Sequence, residues 1–259
     1  MDHHTSWFSF FPGYDALQKL LAQPAYVETI ILGNPDKIEH HHHIYAACLV
    51  FILLAIMALI AKVRLSNLED HIIPSKKFGV VNFLEIFIEA VLGLMKDVIG
   101  KDYKRHVPLI GSLALFIFFS NFLGLIPGFV PPTDNLNTTF ACALVVFLWF
   151  NYYGLRTHGI GHITHLLNPL GTKAGWLFCW FFGPVEILGL LVRPVSLAVR
   201  LACNMIGDHA ILFAFAGIFP LLLPLPFYAL GTLVCILQTM VFCILSCIYI
   251  ALHTAEAEH

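Results

Sequence analysis

The sequence predicts an all-α polytopic membrane protein, with about five membrane-embedded helices and one amphipathic interfacial helix. Three observations carry that prediction. Of 259 residues, 59% are hydrophobic and 12% charged, where a soluble domain carries about 25% charged residues, and mean hydropathy is +0.82. Residues 44–61, 107–133, 135–155 and 210–255 contain no Asp, Glu, Lys or Arg, and about 20 apolar residues suffice to span a bilayer as a helix. Finally, Lys and Arg are distributed asymmetrically between the loops that those runs define.

Taken in order, residues 1–43 form an external N-terminal segment. No positive region precedes the apolar residues 7–12, so they do not have the layout of a cleavable signal. A surface helix is expected near 16–32. The run His40–His43 reads as a solvated, headgroup-level stretch rather than a metal site. The membrane domain follows over 44–255, and residues 44–61 make the first crossing.

Residues 75–105 change pattern. Val80, Val81, Leu84, Ile88, Val91, Leu92, Met95 and Val98 recur at helical spacing, and Lys76, Lys77, Glu85, Glu89, Lys96, Asp97 and Lys101 occupy other positions. That is an amphipathic helix suited to the cytoplasmic interface. Crossings at 108–129 and 138–155 come next. The Gly- and His-rich loop after them places His158, His162 and His165 at the surface. A long helix at 175–219 and a C-terminal helix at 225–254 complete the chain.

With these crossings, Lys62, Arg64, Lys76, Lys77, Lys96, Lys101, Lys104, Arg105, Arg156 and Lys173 all fall on one side, and only Lys19 and Lys37 on the other. The positive-inside bias puts the N-terminus outside and the C-terminus in the cytoplasm. The absence of a transit-like leader favours a bacterial inner membrane.

The 7 cysteines sit almost entirely in apolar segments without any C-x-x-C pair, so they read as small packing residues rather than ligands or disulfides. Phe116, Phe118, Phe119, Trp149, Phe150, Tyr152, Trp176, Trp180, Phe181 and Phe182 read mostly as lipid-facing or interfacial aromatics. No cofactor, metal or nucleic-acid partner is called for.

The chemistry concentrates on the long helix. Arg200 is a charge in hydrocarbon, which costs about 2.5–3.5 kcal/mol at a helix centre, so it must face a protein partner or a water-filled path. Glu186, Arg193 and Arg200 are spaced by seven, which returns to within roughly 20° of one direction. Asn204 joins that face, and the titratable pair Asp208 and His209 lies further along. A guanidinium keeps its proton at any reachable pH. Arg200 therefore cannot relay protons, but it can draw a partner carboxylate into its ionised form and repel cations. Glu186 on one side, and Asp208 and His209 on the other, are the relay candidates. A plainer reading is a Glu–Arg network that only joins helices.

At these residues the chain resembles subunit a of F-type ATP synthases. Pro194-Val-Ser-Leu-Ala-Val-Arg-Leu-Ala-Cys-Asn-Met205 is similar to that family's P-[VI]-S-L-x-x-R-L-x-x-N-[MI] stretch. Leu237-Gln-Thr-Met and Ile248-Tyr-Ile-Ala-Leu resemble its last helix. Pro132-Thr-Asp-Asn-Leu-Asn-Thr-Thr139 and Ser120-Asn-Phe-Leu-Gly-Leu-Ile-Pro127 resemble its external loop and its Asn-bearing helix. The likeness covers roughly residues 40 to 255.

The resemblance implies a stator subunit that makes no ATP itself and is not catalytic alone. Its last two helices would form a long tilted hairpin against a ring of c subunits, with a b-subunit peripheral stalk, other ATP synthase subunits and membrane lipids as further partners. It implies that Arg200 faces the ring carboxylates with Asn204 and Gln238 beside it, and that Glu186 lines a cytoplasmic half-channel. His209, Asn121 and the Asp134–Thr138 region would line an external one, and Arg193 would be a basic cytoplasmic-side position.

The chain departs from the family where an acid is common and Gly124 stands, and at Gly231, where many members carry the ionisable partner of the His209 position. Asp208 is a candidate substitute, and Gly231 reads as a close-packing site.

Competing classes fit less well. A secondary transporter would show paired related halves, and no internal repeat is visible. A hydrolase using Ser196 and His209 lacks a G-x-S-x-G elbow. A diheme cytochrome would need more facing histidines.

Overall fold

The computed structural model describes residues 42–64, 79–126, 128–159, 179–218 and 224–255. The expectations for residues 1–41, His162, His165, Trp176 and the 75–78 and 175–178 stretches lie outside the described residues. Six helices carry the described chain: α1 (His42–Arg64), α2 (Val80–Ile99), α3 (Tyr103–Leu123), α4 (Leu136–His158), α5 (Cys179–Ile218) and α6 (Pro224–Ala255). Two 3-10 turns, Gly100–Asp102 and Pro132–Asp134, precede α3 and α4. Among the described residues, four stretches are long and apolar enough to cross a membrane: His43–Arg64, Val80–Leu123, Leu136–Thr157 and Leu225–Thr254. The protein is a polytopic helical membrane protein.

α1 ends on Lys62 and Arg64, where cations complement the helix dipole and reach the headgroups. Phe51, Ile52, Leu59 and Val63 stay exposed on it, as lipid-facing side chains do, while Ala46 and Val50 are buried with Leu123 of α3. α2 buries Val91 and Met95 and stops at Gly100, whose φ of 80° only glycine adopts freely. The helix expected over 75–105 therefore ends at Ile99. Lys104 and Arg105 instead open α3, whose first turn begins at Tyr103. The crossing expected at 108–129 ends at Leu123, where the backbone turns at Gly124.

α4 starts on a cap, the Asn135 side chain accepting from the Asn137 backbone N–H at 2.9 Å, which satisfies one of the free amides of a first helical turn. α5 has 40 residues, roughly 60 Å of helix against a hydrocarbon core of about 30 Å. It cannot cross upright and must tilt, bend or protrude; Pro184 and Pro194 lie inside it.

α6 packs against α2, α3, α4 and α5, and α5 packs most extensively on α4. One core joins Met95, Ile110, Ile117, Val146, Phe150, Leu201, Phe242 and Ile250. Phe150, read from the sequence as lipid-facing or interfacial, is 1% exposed within it; a pattern of aromatics cannot tell which side of a helix a neighbour covers. Trp149 also turns inward, its indole N–H donating to His106 Nδ1 at 3.0 Å. Cys142, Cys235, Cys243 and Cys247 are buried packing residues, whereas Cys48 and Cys203 are exposed.

Ala198 is 1% exposed on α5 within the shared core, and small residues let membrane helices approach closely. Ala198→Leu overpacks this core by about 1–3 kcal/mol. The subunit level in membranes should fall, while Val199→Leu on the exposed neighbour leaves it unchanged; quantitative blotting of membranes reads both.

Candidate functional site along the α5–α6 hairpin

α5 has two faces. Pro194, Leu197, Ala198, Leu201, Ala202 and Met205 are buried, at the three- and four-residue spacing of one helical stripe. Val195, Val199, Arg200, Cys203, Asn204 and Ile206 are exposed. Arg200 thus projects from an otherwise apolar exposed surface, and it makes no hydrogen bond or ion pair among the described residues. Glu186 is fourteen positions away, roughly 21 Å along the helix, too far to neutralise it.

The three residues spaced by seven do not present alike. Glu186 and Arg193 are half-buried, and the Arg193 guanidinium sits 5.9 Å from the centre of the Tyr249 ring on α6. Arg193 is therefore engaged within the hairpin by a cation–π contact.

One turn past Arg200, Asn204 Nδ2 donates to Gln238 Oε1 of α6 at 2.6 Å. Gln238 is buried. This bond ties the two long helices together beside Arg200 and fixes which Asn204 atom is the donor, since the amide N–H can only donate.

A second polar centre forms where α5 passes the end of α3. The Pro132–Asp134 turn packs against α1, α3, α4 and α5. Thr133 Oγ1 donates to Asn121 Oδ1 at 2.7 Å, both buried. Asn135 Nδ2 lies 3.3 Å from His43 Nδ1 of α1. His209 Nε2 lies 3.1 Å from the Gly124 carbonyl oxygen; a carbonyl only accepts, so Nε2 carries the proton and donates.

Asn121 Nδ2, Asp134 Oδ1 and Asp208 Oδ2 are buried without a hydrogen-bond partner among the described residues, a combination that buried polar atoms seldom tolerate outside functional sites. Burial pushes the Asp134 carboxyl above the ordinary aspartate range, and the nearby His209 opposes that shift.

Both departures noted in the sequence have a spatial meaning. A Cβ on Gly124 would stand 2.6 Å from His209 Nε2 and 2.9 Å from Pro131 Cγ; the missing side chain is the space that the imidazole occupies. A Cβ on Gly231 would meet Leu125 Cδ2 at 2.8 Å, a close approach between α6 and the end of α3.

Sequence reasoning did not single out Thr133 as a site residue, nor the seat that Gly124 provides. A glycine standing where an acid is common was the available signal.

Residues 44–251 match the family described as ATP synthase A chain. The chain belongs to that family. It is 42% identical over 217 residues to ATP synthase subunit a of Sorangium cellulosum, covering 83% of each chain. It is 41% identical over 226 residues to ATP synthase subunit a 1 of Syntrophotalea carbinolica, covering 86% of this chain and 91% of the relative. A similar protein from Geobacter sulfurreducens, ATP synthase subunit a, is 40% identical over 210 residues, covering 81% of this chain and 86% of the relative. As a member of that family, the chain has other ATP synthase subunits as partners.

Proposed function

We propose that this chain is the proton-channel stator of a rotary ATP synthase in a bacterial inner membrane, with its N-terminus outside and its C-terminus in the cytoplasm. The observation that carries the reading is Arg200, exposed and unpaired among the described residues on the apolar face of α5. A permanent cation there calls for an anionic partner or a water-filled path, and a carboxylate on a ring of c subunits supplies the first.

Each site residue then has a part. Arg200 holds the arriving ring carboxylate ionised and bars a continuous proton wire. Asn204 and Gln238 hold the hairpin together beside it. Glu186 serves the cytoplasmic half-channel, near which Arg193 is fixed on Tyr249. Asn121, Asp134, Asp208 and His209 serve the external one. The chain moves protons and performs no phosphoryl chemistry; other subunits of the synthase do that, and the b-subunit stalk holds it against rotation.

Cys203 offers a direct test, being exposed three residues from Arg200 on the same face. In the assembled complex, oxidation should couple Cys203 to a cysteine placed beside the ring carboxylate and stop ATP-driven rotation, with Cys203→Ser as the uncoupled control. No adduct in a complex that still holds its ring would refute the placement of this face.

A further inference from the structure

We propose that Asp134 and His209 form one proton-sharing pair in the external half-channel, with Gly124 as the gap that seats the imidazole. This rests on the channel reading above and assigns its outer relay to an acid on the turn before α4. A side chain at Gly124 would meet the His209 imidazole and the Pro131 ring, so His209 occupies the space that such a side chain would need.

The geometry supports the pairing from several sides. The Pro132–Asp134 turn is wedged against α1, α3, α4 and α5, and the Thr133–Asn121 bond pins it to α3. Asp134 is next in the chain and presents a buried Oδ1 without a hydrogen-bond partner among the described residues, within electrostatic reach of His209.

Asp134 from the turn and Asp208 from its own helix lie within electrostatic reach of His209, and the Gly124 carbonyl at the end of α3 accepts its hydrogen bond. Cys235 of α6 lies within electrostatic reach of Asp208, and His43 of α1 contacts the turn through Asn135.

The proton balance is simple. With Nε2–H committed to the Gly124 carbonyl, the neutral ring keeps its lone pair on Nδ1. Asp134 releases its proton, Nδ1 takes it up, and carboxylate and imidazolium face each other. Passing the proton inward along α5 restores the neutral ring, and Asp134 regains a proton from external water. Asp208, with its own unpartnered oxygen, is the next acceptor along the same helix.

The test uses inverted membrane vesicles holding the complete synthase, with assembly checked by co-purification of the ring. Asp134→Asn should lower ATP-driven acidification by about a hundredfold, the lower end of what a positioned proton-transfer group contributes. Asp134→Glu should keep most of the activity and move the lumenal pH at which pumping is half-maximal.

Wild-type pumping by Asp134→Asn would overturn the pair while leaving the channel reading intact, provided Arg200→Ala is inactive. Equal loss in both variants with an unmoved pH profile would reduce Asp134 to a structural role and overturn it as well. Should Asp134→Asn not assemble, the pH profile of Asp134→Glu decides: moved supports the pair, unmoved refutes it. Normal pumping by Arg200→Ala would remove the channel reading, and the pair with it.

Discussion

In inverted vesicles holding the assembled synthase, Arg200→Ala abolishes ATP-driven acidification and raises passive proton leak. The expectation follows from the sign and permanence of the charge. A guanidinium about 4 Å from a carboxylate, at an effective dielectric constant near 20, contributes about 4 kcal/mol. That is roughly three pKa units of preference for the ionised acid, enough to empty a ring site that is otherwise protonated in lipid. Alanine supplies none of it, so the ring carboxylate stays protonated as it passes and no proton is released.

In the proposed function the same cation repels protons attempting to pass directly between two half-channels, which is why leak should rise. Folding is not expected to suffer. Arg200 is exposed and makes no hydrogen bond or ion pair among the described residues, and an apolar residue at this depth removes a burial cost of about 2.5–3.5 kcal/mol. Loss of pumping with a normal amount of assembled complex therefore separates function from stability. Unimpaired pumping would reject the site.

Gly124→Ala should lower pumping by about tenfold or more through one methyl group, by displacing His209, the proton-transfer residue proposed above. The new Cβ would stand 2.6 Å from His209 Nε2 and 2.9 Å from Pro131 Cγ. Proline is rigid and cannot swing aside, so the imidazole must leave the Gly124 carbonyl or the end of α3 must move. Two other glycines calibrate the effect. Gly231→Ala meets only Leu125 Cδ2, the tip of a flexible side chain, and rotation of that leucine should absorb it at small cost. Gly93→Ala meets nothing within 4 Å and should leave pumping unchanged while firming α2 by about 0.5–1 kcal/mol. Equal behaviour of all three alanine variants in the acidification assay would show that the seat at Gly124 has no role.

Much of the fold was legible because bilayer insertion is a local criterion. Uncharged runs near the length of a span announce crossings, and the helical spacing of apolar residues from Val80 to Val98 announced the helix at Val80–Ile99. The residues Arg200, Asn204, Asp208 and His209 could be named from their types and spacing, and the likeness to a known family added Gln238, Asn121 and Asp134. The helix ends were less legible. α2 stops at Ile99 because Gly100 adopts a positive φ, and nothing in the hydropathy of 75–105 marks that position over its neighbours. The inward turn of Phe150 and Trp149 was hidden for a related reason: an aromatic against lipid and one against α6 have the same local sequence.

What the sequence by itself determined was the solvent of this chain, the order of its helices and the presence of a permanent charge that no lipid can satisfy. These follow from transfer free energies that sum along short stretches. Only the tertiary structure decided which polar groups meet: Asn204 with Gln238 across the hairpin, Thr133 with Asn121, and His209 with the Gly124 carbonyl in the space that Gly124 leaves. Such meetings depend on how chain reversals return distant segments to one another and on where a single missing Cβ lets them touch, and neither is a property of any local stretch of residues.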